Sequence, residues 1–341
     1  MNSVERVHAA LRLEQPDRVP VVEFIIDEKV ARAIIPDILD AQDFMDRMDM
    51  DAVGCGAFFR TVAVNPDGTY VDEWGVTYKL GGTEAVAHPL CGPIKTIEDA
   101  RAYTPPDPNA PHRLGKLPEI VERYKGKRAI CFHHRAAFMW SAYLMGLDNL
   151  LAAFLEEPKF ANLVMDKVLE VNMQIVRNAI RAGAEIIVLG DDYAHNQGLM
   201  MSPKLFREFI LPRLAKMVDL IKSEGAFCIK HSDGNIYAIL EDIVSTGCDG
   251  INPIEPAAGM DLRTVKQLVG DRVCLVGNID CGHLLPHGTP EEVERAVKQA
   301  IEDAGGGGGF ILSSSNSIHS SVKPDNFVAM IRAVKKYGWY S

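Results

Sequence analysis

Residues 226–256, AFCIKHSDGNIYAILEDIVSTGCDGINPIEP, pass from a short apolar run through a polar knot into a helical pattern and back to a second apolar run. Ala226–Lys230 has strand length, His231–Asn235 is polar and turn-prone, and Ile236–Thr246 carries apolar residues at helical spacing. Gly250–Pro253 then repeats the strand pattern. A strand, a helix and a second strand in this order form a βαβ unit, which needs a parallel sheet beneath its helix. Working outward, the same signature gives strands at Val19–Ile25, Asp51–Cys55, Ala129–His133, Glu185–Leu189, Val273–Gly277 and Gly309–Leu312. Helical patterns run over Pro158–Ala182, Leu205–Ser223, Leu262–Val269, Pro290–Ala304 and Pro324–Tyr337, several opened by a proline or an acidic first turn. This alternation predicts an α/β chain folded as a (β/α)8 TIM barrel, a single domain over 1–341. An amphipathic helical extension, Met1–Arg12, precedes it, and a hairpin insertion is expected over Tyr70–Lys79 around Trp74-Gly75. A doubly wound open sheet has the same alternation with a different closure.

The chain has 341 residues, 47% of them hydrophobic and 24% charged, with 36 basic residues against 46 acidic for a net charge of −10. Such a composition excludes a disordered or fibrous chain and disfavours nucleic acid or an anionic membrane as partner. No apolar run approaches membrane-spanning length. Seven cysteines, an odd number without paired spacing, suit a reducing compartment, so a cytoplasmic location is expected. The glycine run Gly305–Gly309 follows a helix and precedes a strand, which reads as a turn on the bottom face rather than a phosphate cradle.

Barrel chemistry is placed where strands end. Those ends carry Phe58 and Phe59 after the second strand, His133-His134-Arg135 after the third, and Asp191-Asp192-Tyr193 after the fourth. His231-Ser232-Asp233, Glu255, Asn278 with Asp280, and Ser315 through His319 follow the later strands. His231 and Asp233, two apart, share a face and form the sharpest pair: either a divalent metal site completed by Asp191, Glu255 or His319, or a hydrogen-bonded pair that orders its loop. Imidazole with carboxylates suits zinc, and manganese or iron accept the same donors. Of the consecutive Asp191 and Asp192, at most one faces the mouth and the other caps the next segment. Glu255 is a candidate general acid or base, and Asn278 and Asp280 share its ambiguity. Phe58, Phe59, His133, Tyr193 and Ser315 are the candidate substrate contacts. Phe132, Phe138, Met139, Trp140, Tyr143 and Met145 form an apolar cluster suited to core packing or to an aromatic ligand.

Val4-Glu5-Arg6-Val7, Pro16-Asp17-Arg18-Val19-Pro20-Val21, Lys230-His231-Ser232-Asp233-Gly234, Gly277-Asn278-Ile279-Asp280, Pro324-Asp325-Asn326-Phe327 and Lys336-Tyr337-Gly338 together resemble the uroporphyrinogen decarboxylase superfamily. The resemblance implies a (β/α)8 barrel with its site at the C-terminal mouth. True porphyrinogen decarboxylases carry an Arg-rich segment after the first strand, whereas Glu23-Phe24-Ile25-Ile26-Asp27-Glu28-Lys29 has no arginine cluster. The branch of corrinoid-dependent methyltransferases is the closer likeness. Its thiol-methylating members hold zinc through a His-x-Cys pair and a later Cys; here His231 is kept, Asp233 replaces the first thiol and Asn316 the last. The resemblance implies an O-demethylase component that moves a methyl group from a methoxylated aromatic to the cobalt(I) corrinoid (cobalamin type) of a separate protein. In that reading His231, Asp233 and His319 hold the metal, and Glu255, Asp191, Asn278 and Asp280 are catalytic. A corrinoid-independent decarboxylase or lyase and a non-catalytic binding barrel are the alternatives. Oligomeric state, a homodimer included, is left open.

Overall fold

The computed structural model describes residues 1–79 and 88–340. Seven strands, β1 (Ala52–Gly56), β2 (Ala129–His134), β3 (Ile186–Gly190), β4 (Phe227–His231), β5 (Gly250–Asn252), β6 (Cys274–Ile279) and β7 (Phe310–Ser314), form one curled sheet in chain order. Every neighbouring pair is parallel. Both faces are buried, as a parallel sheet requires. Ala129, Cys131, Ile186, Val188, Ile229 and Val276 point inward. Ile130, Phe132, Ile187, Leu189, Cys228 and Leu275 point outward into the packing with the helices. Each fully buried Ile, Leu or Val contributes about 1.5–3 kcal/mol of apolar burial, so this two-sided sheet is the main source of stability.

The expected first strand is not a regular one. Its segment Pro20–Val22 bridges the two outer strands instead: Leu312 N–H donates to the Pro20 carbonyl and Val22 N–H to Leu312, while Asp51 N–H donates to the Val21 carbonyl. The two prolines of Pro16-Asp17-Arg18-Val19-Pro20 lack amide donors, which limits a longer ladder here. Asp51, wholly buried, fixes this seam from below by accepting from Arg6, from both terminal nitrogens of Arg18 and from Val21 N–H. The N-terminal helix, Ser3–Leu11, starts from a capping box between Asn2 and Glu5 and presses Val7, Ala10 and Leu11 into the bottom of the sheet's hollow.

A hairpin forms over Thr69–Asp72 and Thr77–Lys79, and two further strands, Thr61–Val64 and His88–Cys91, extend it to a four-stranded antiparallel sheet. The apolar cluster after β2 folds as two helices, Phe138–Met145 and Leu147–Glu156, bent at Gly146 by 101°. Trp140 stacks on Trp74 with centroids 4.7 Å apart and Phe59 meets Trp140 edge-on, joining the added sheet to the barrel side. The cluster is therefore packing. The helix expected over Leu205–Ser223 starts at Pro203 and widens to a π turn at Phe206–Ile210, just ahead of Pro212. The glycine run forms the turn before β7; Gly308 has φ +89° and sits so close to the Glu14 carbonyl that a Cβ would lie 2.4 Å from it. Among the described residues, all cysteines are free and no single helix is long and apolar enough to cross a membrane.

Candidate active site

The inward positions at the strand ends form the floor of the mouth. On β2 the inward series Ala129, Cys131 continues to His133; on β3 Ile186, Val188 continues to Gly190; on β4 Ile229 continues to His231. Gly190 pairs with His231 across the sheet and offers no side chain, so the space beside the His231 ring stays open. The same alternation points Asp192, not Asp191, toward the mouth.

Asp192, His231 and Asp233 converge, with one donor atom from each lying within 4.8 Å of the others. His231 Nε2 is 3.4 Å from Asp233 Oδ1 and 3.7 Å from Asp192 Oδ1. The other ring nitrogen, Nδ1, is 2.6 Å from Asn252 Oδ1. Asn252 is buried and its amide nitrogen donates to the Val276 carbonyl, so its oxygen is the atom left to accept. That bond places a proton on Nδ1 and turns Nε2 toward the two carboxylates. A ring nitrogen and two carboxylate oxygens then face one another, a donor set of the kind that holds a divalent cation.

Asp233 is held from several sides. Its amide donates to Asp192 Oδ1, and its Oδ2 accepts from Asn316 Nδ2 at 2.7 Å. Its Oδ1 is buried without a hydrogen-bond partner. Burial pushes its carboxyl up to about 6; His231 and the Asn316 bond pull the other way, while Asp192 and Glu255 add to the rise. The next residue, Gly234, has φ +84° and packs against the Ala194 backbone, where any Cβ would collide. Its N–H donates to Glu255 Oε2 at 2.7 Å, which brings the Glu255 carboxylate beside Asp233. His133 joins the mouth from β2, edge-on to Phe24 at 5.4 Å; burial and the neighbouring His231 hold its ring neutral, down to about 4, and its Nε2 has no partner.

Other expected site residues are placed elsewhere. Asp191 is wholly buried, and its carboxylate accepts from the amides of Ala136, Ala137, Phe138 and Met139, at the start of the Phe138–Met145 helix. It caps that helix and cannot act at the mouth. His319 leaves the metal set: its Nε2 bonds the Cys281 carbonyl and its Nδ1 accepts from Ser321 N–H. Asp280 accepts from the amides of Gly282, His283 and Leu284, capping its loop. Asn278 donates to the Ile254 carbonyl and thereby steadies the segment that carries Glu255. Tyr193 is buried in the outer layer against Phe138 and Phe206, with Lys230 Nζ over its ring. Ser315 accepts from Cys281 N–H. Phe59 lies beneath the Arg113 guanidinium at 4.4 Å within the tryptophan cluster, and Phe58 is exposed beside His112. Asn252 has no assigned role in the sequence reading, because an asparagine at a strand end carries no local signal that it orients a histidine; Asn316, read there only as the replacement of a thiol, bonds Asp233.

A cleft of about 560 Å³ lies at the opposite face among Arg6, Arg18, Asp46, Asp49, Arg128 and Lys335. Its arginines already hold carboxylates, so it lacks the convergent unsatisfied groups that mark the mouth.

A uroporphyrinogen decarboxylase of Pseudoalteromonas translucida is 26% identical over 267 residues, 72% of this chain and 70% of the relative. One of Chlorobium phaeovibrioides is 30% identical over 186 residues, 53% and 50% of the two chains. A solved structure of a methyltransferase from Methanosarcina mazei superposes over 99% of both chains with a TM-score of 0.79 at 20% identity, which establishes a shared fold. The family model described as uroporphyrinogen decarboxylase (URO-D) matches residues 72–337, and the chain belongs to that family.

Proposed function

We propose that this chain is a methyltransferase that takes the methyl group of a methoxylated aromatic compound and delivers it to the cobalt(I) of a corrinoid carried by a separate protein. The observation that carries the reading is the trio Asp192, His231 and Asp233, two carboxylates and an imidazole gathered at the mouth with the buried Asp233 Oδ1 left without a hydrogen bond. These residues fit a divalent metal such as zinc: one neutral imidazole and two carboxylates, with Asn252 behind the ring. Bound there, the metal would act as a Lewis acid toward the ether oxygen. Oxygen-rich donors in place of thiolates suit an oxygen leaving group.

The chain's own residues supply the rest. Phe24 and His133 form an uncharged wall for an aromatic ring, and Gly190 leaves the room for it. The departing phenolate needs a proton or an equivalent charge, and the role of acid is assigned to Glu255, held beside Asp233 by the Gly234 amide. Decarboxylation of a porphyrinogen, the activity named for the curated relatives, fits less well. Its substrate is a polycarboxylate, while this mouth presents Asp192, Asp233 and Glu255 opposite neutral His133. The deciding experiment mixes the metal-loaded protein with a methoxylated aromatic and reduced corrinoid. Appearance of the methyl–cobalt absorption with release of the phenol supports the proposal; carbon dioxide release from a porphyrinogen with no methyl transfer would replace it.

A further inference from the structure

Glu23, in the segment that bridges the outer strands, is a carboxyl group that the reaction above does not use. It is 4% exposed, and its hydrogen bonds all go to one residue: Ser314 N–H donates to Oε1 at 2.7 Å and Ser314 Oγ lies 2.7 Å from Oε2. The same hydroxyl is in hydrogen-bond contact with the Asn316 carbonyl. A serine hydroxyl has a single proton, and a carbonyl has none to give. One hydroxyl proton cannot bond both Glu23 Oε2 and the Asn316 carbonyl at full strength, whereas a proton on the carboxyl lets both contacts be full hydrogen bonds. The turn that results presents Asn316 in one orientation: its Oδ1 accepts from Ser317 N–H and its Nδ2 donates to Asp233 Oδ2.

We propose that Glu23 is a neutral carboxylic acid, a positioning residue whose proton locks the 314–316 turn and, through Asn316, aims Asp233. The direction of the carboxyl's own equilibrium agrees: burial pushes it up to about 8, against the two Ser314 bonds. The Cys281 thiol, itself pushed up to about 11 by burial, is the titratable group that feels the Glu23 charge, and Asp280 and Asp233 act on the same thiol. No basic side chain bonds the carboxyl among the described residues. An ionised Glu23 would claim the Ser314 proton, leaving the Asn316 carbonyl without a donor and the turn free to shift. Asp233 would then lose the bond that fixes Oδ2 and leaves Oδ1 for the metal. The link to metal binding rests on the proposed function; the protonation state and the Asn316–Asp233 bond do not.

Three measurements on the full chain test this, comparing the wild type with Glu23→Gln and Ser314→Ala. Infrared difference spectra at pH 6 are expected to show a protonated-carboxyl stretch in the wild type that Glu23→Gln removes. The glutamine amide donates to Ser314 Oγ and accepts from its N–H, so Glu23→Gln is expected to keep the Asn316 side-chain amide resonance and its slow exchange. Ser314→Ala is expected to speed that exchange by on the order of tenfold. Cobalt(II), titrated alone, is expected to bind Glu23→Gln within about twofold of the wild type and Ser314→Ala about tenfold more weakly, the usual loss for a group behind a ligand. Absence of the carboxyl band, or unchanged Asn316 exchange in Ser314→Ala, overturns the proposal. A wild type that binds no cobalt(II) counts against the metal site alone, and the first two readouts still decide the role of Glu23.

Discussion

Asp191 and Asp192 are chemically identical neighbours with opposite duties. Replacing Asp191 by Ala strips four buried amides of their acceptor and is expected to cost about 3 kcal/mol or more, seen as a large fall in thermal midpoint. Replacing Asp192 by Ala is expected to leave that midpoint nearly unchanged while lowering methyl transfer by on the order of a hundredfold. Equal melting behaviour of the two variants would contradict the assignment. The sequence identified the pair but not the partition between them, because Ile186-Ile187-Val188-Leu189 is apolar on both faces and offers no alternation from which to read direction. His231 and Asp233 were legible because their spacing alone puts them on one face; the exchange of His319 for Asp192 was not, since loops at neighbouring strand ends have no fixed register. Glu23 gives a second prediction. Its proton affinity is higher folded than unfolded, so the stability it contributes is whole below about pH 4.5 and is lost as pH rises toward about 8, at about 1.4 kcal/mol per unit. Glu23→Gln should therefore match the wild type in thermal midpoint near pH 4 and exceed it near pH 8.5.

Elements differed in how plainly they were written. The β-α alternation from β3 onward was readable because each strand is a short apolar run stopped by Asp, Asn or Gly. The antiparallel sheet was readable only at its hairpin. Thr61–Val64 is exposed throughout and has no buried face to impose a pattern. That sheet is held to the barrel through Arg113, which is 1% exposed, donates to the Phe58 carbonyl, the Asp107 carbonyl and Glu73, and covers Phe59. Arg113→Met keeps the apolar volume and removes the donors, leaving Glu73 without its buried partner. The expected outcome is faster proteolysis within 61–79 with the barrel still folded; an unchanged cleavage rate would show that the tryptophan stack suffices without it.

For the molecule as a whole, acid should unfold this protein in a definable window. His133 and His134 are buried neutral, down to about 4 and about 3 respectively, chiefly by desolvation. The unfolded chain takes up protons at these rings below about pH 6.5 and the folded one does not, so stability falls as pH drops from there toward 4. Because Glu23 gains stability over the same interval, the test is made in Glu23→Gln, where urea midpoints at pH 7 and 4.5 are expected to differ clearly and coincident midpoints would refute it. The barrel architecture was legible at this scale, except for the closing position. That position is a set of bridges made from opposite ends of the chain rather than a strand, and its partner, Leu312, lies far along the sequence.

This closure sets an order of events during synthesis. Pro20–Val22 leaves the ribosome early, but the edge it must meet is translated nearly three hundred residues later. Until then the nascent sheet has two open margins, and the Asp51–Arg6–Arg18 clasp holds only one of them. A pairing so distant in sequence forms slowly and leaves its unpaired edges exposed to other chains meanwhile. Stalling translation before β7 should thus yield a chain that sticks to its neighbours, whereas one released just beyond Ser314 can zip the seam shut.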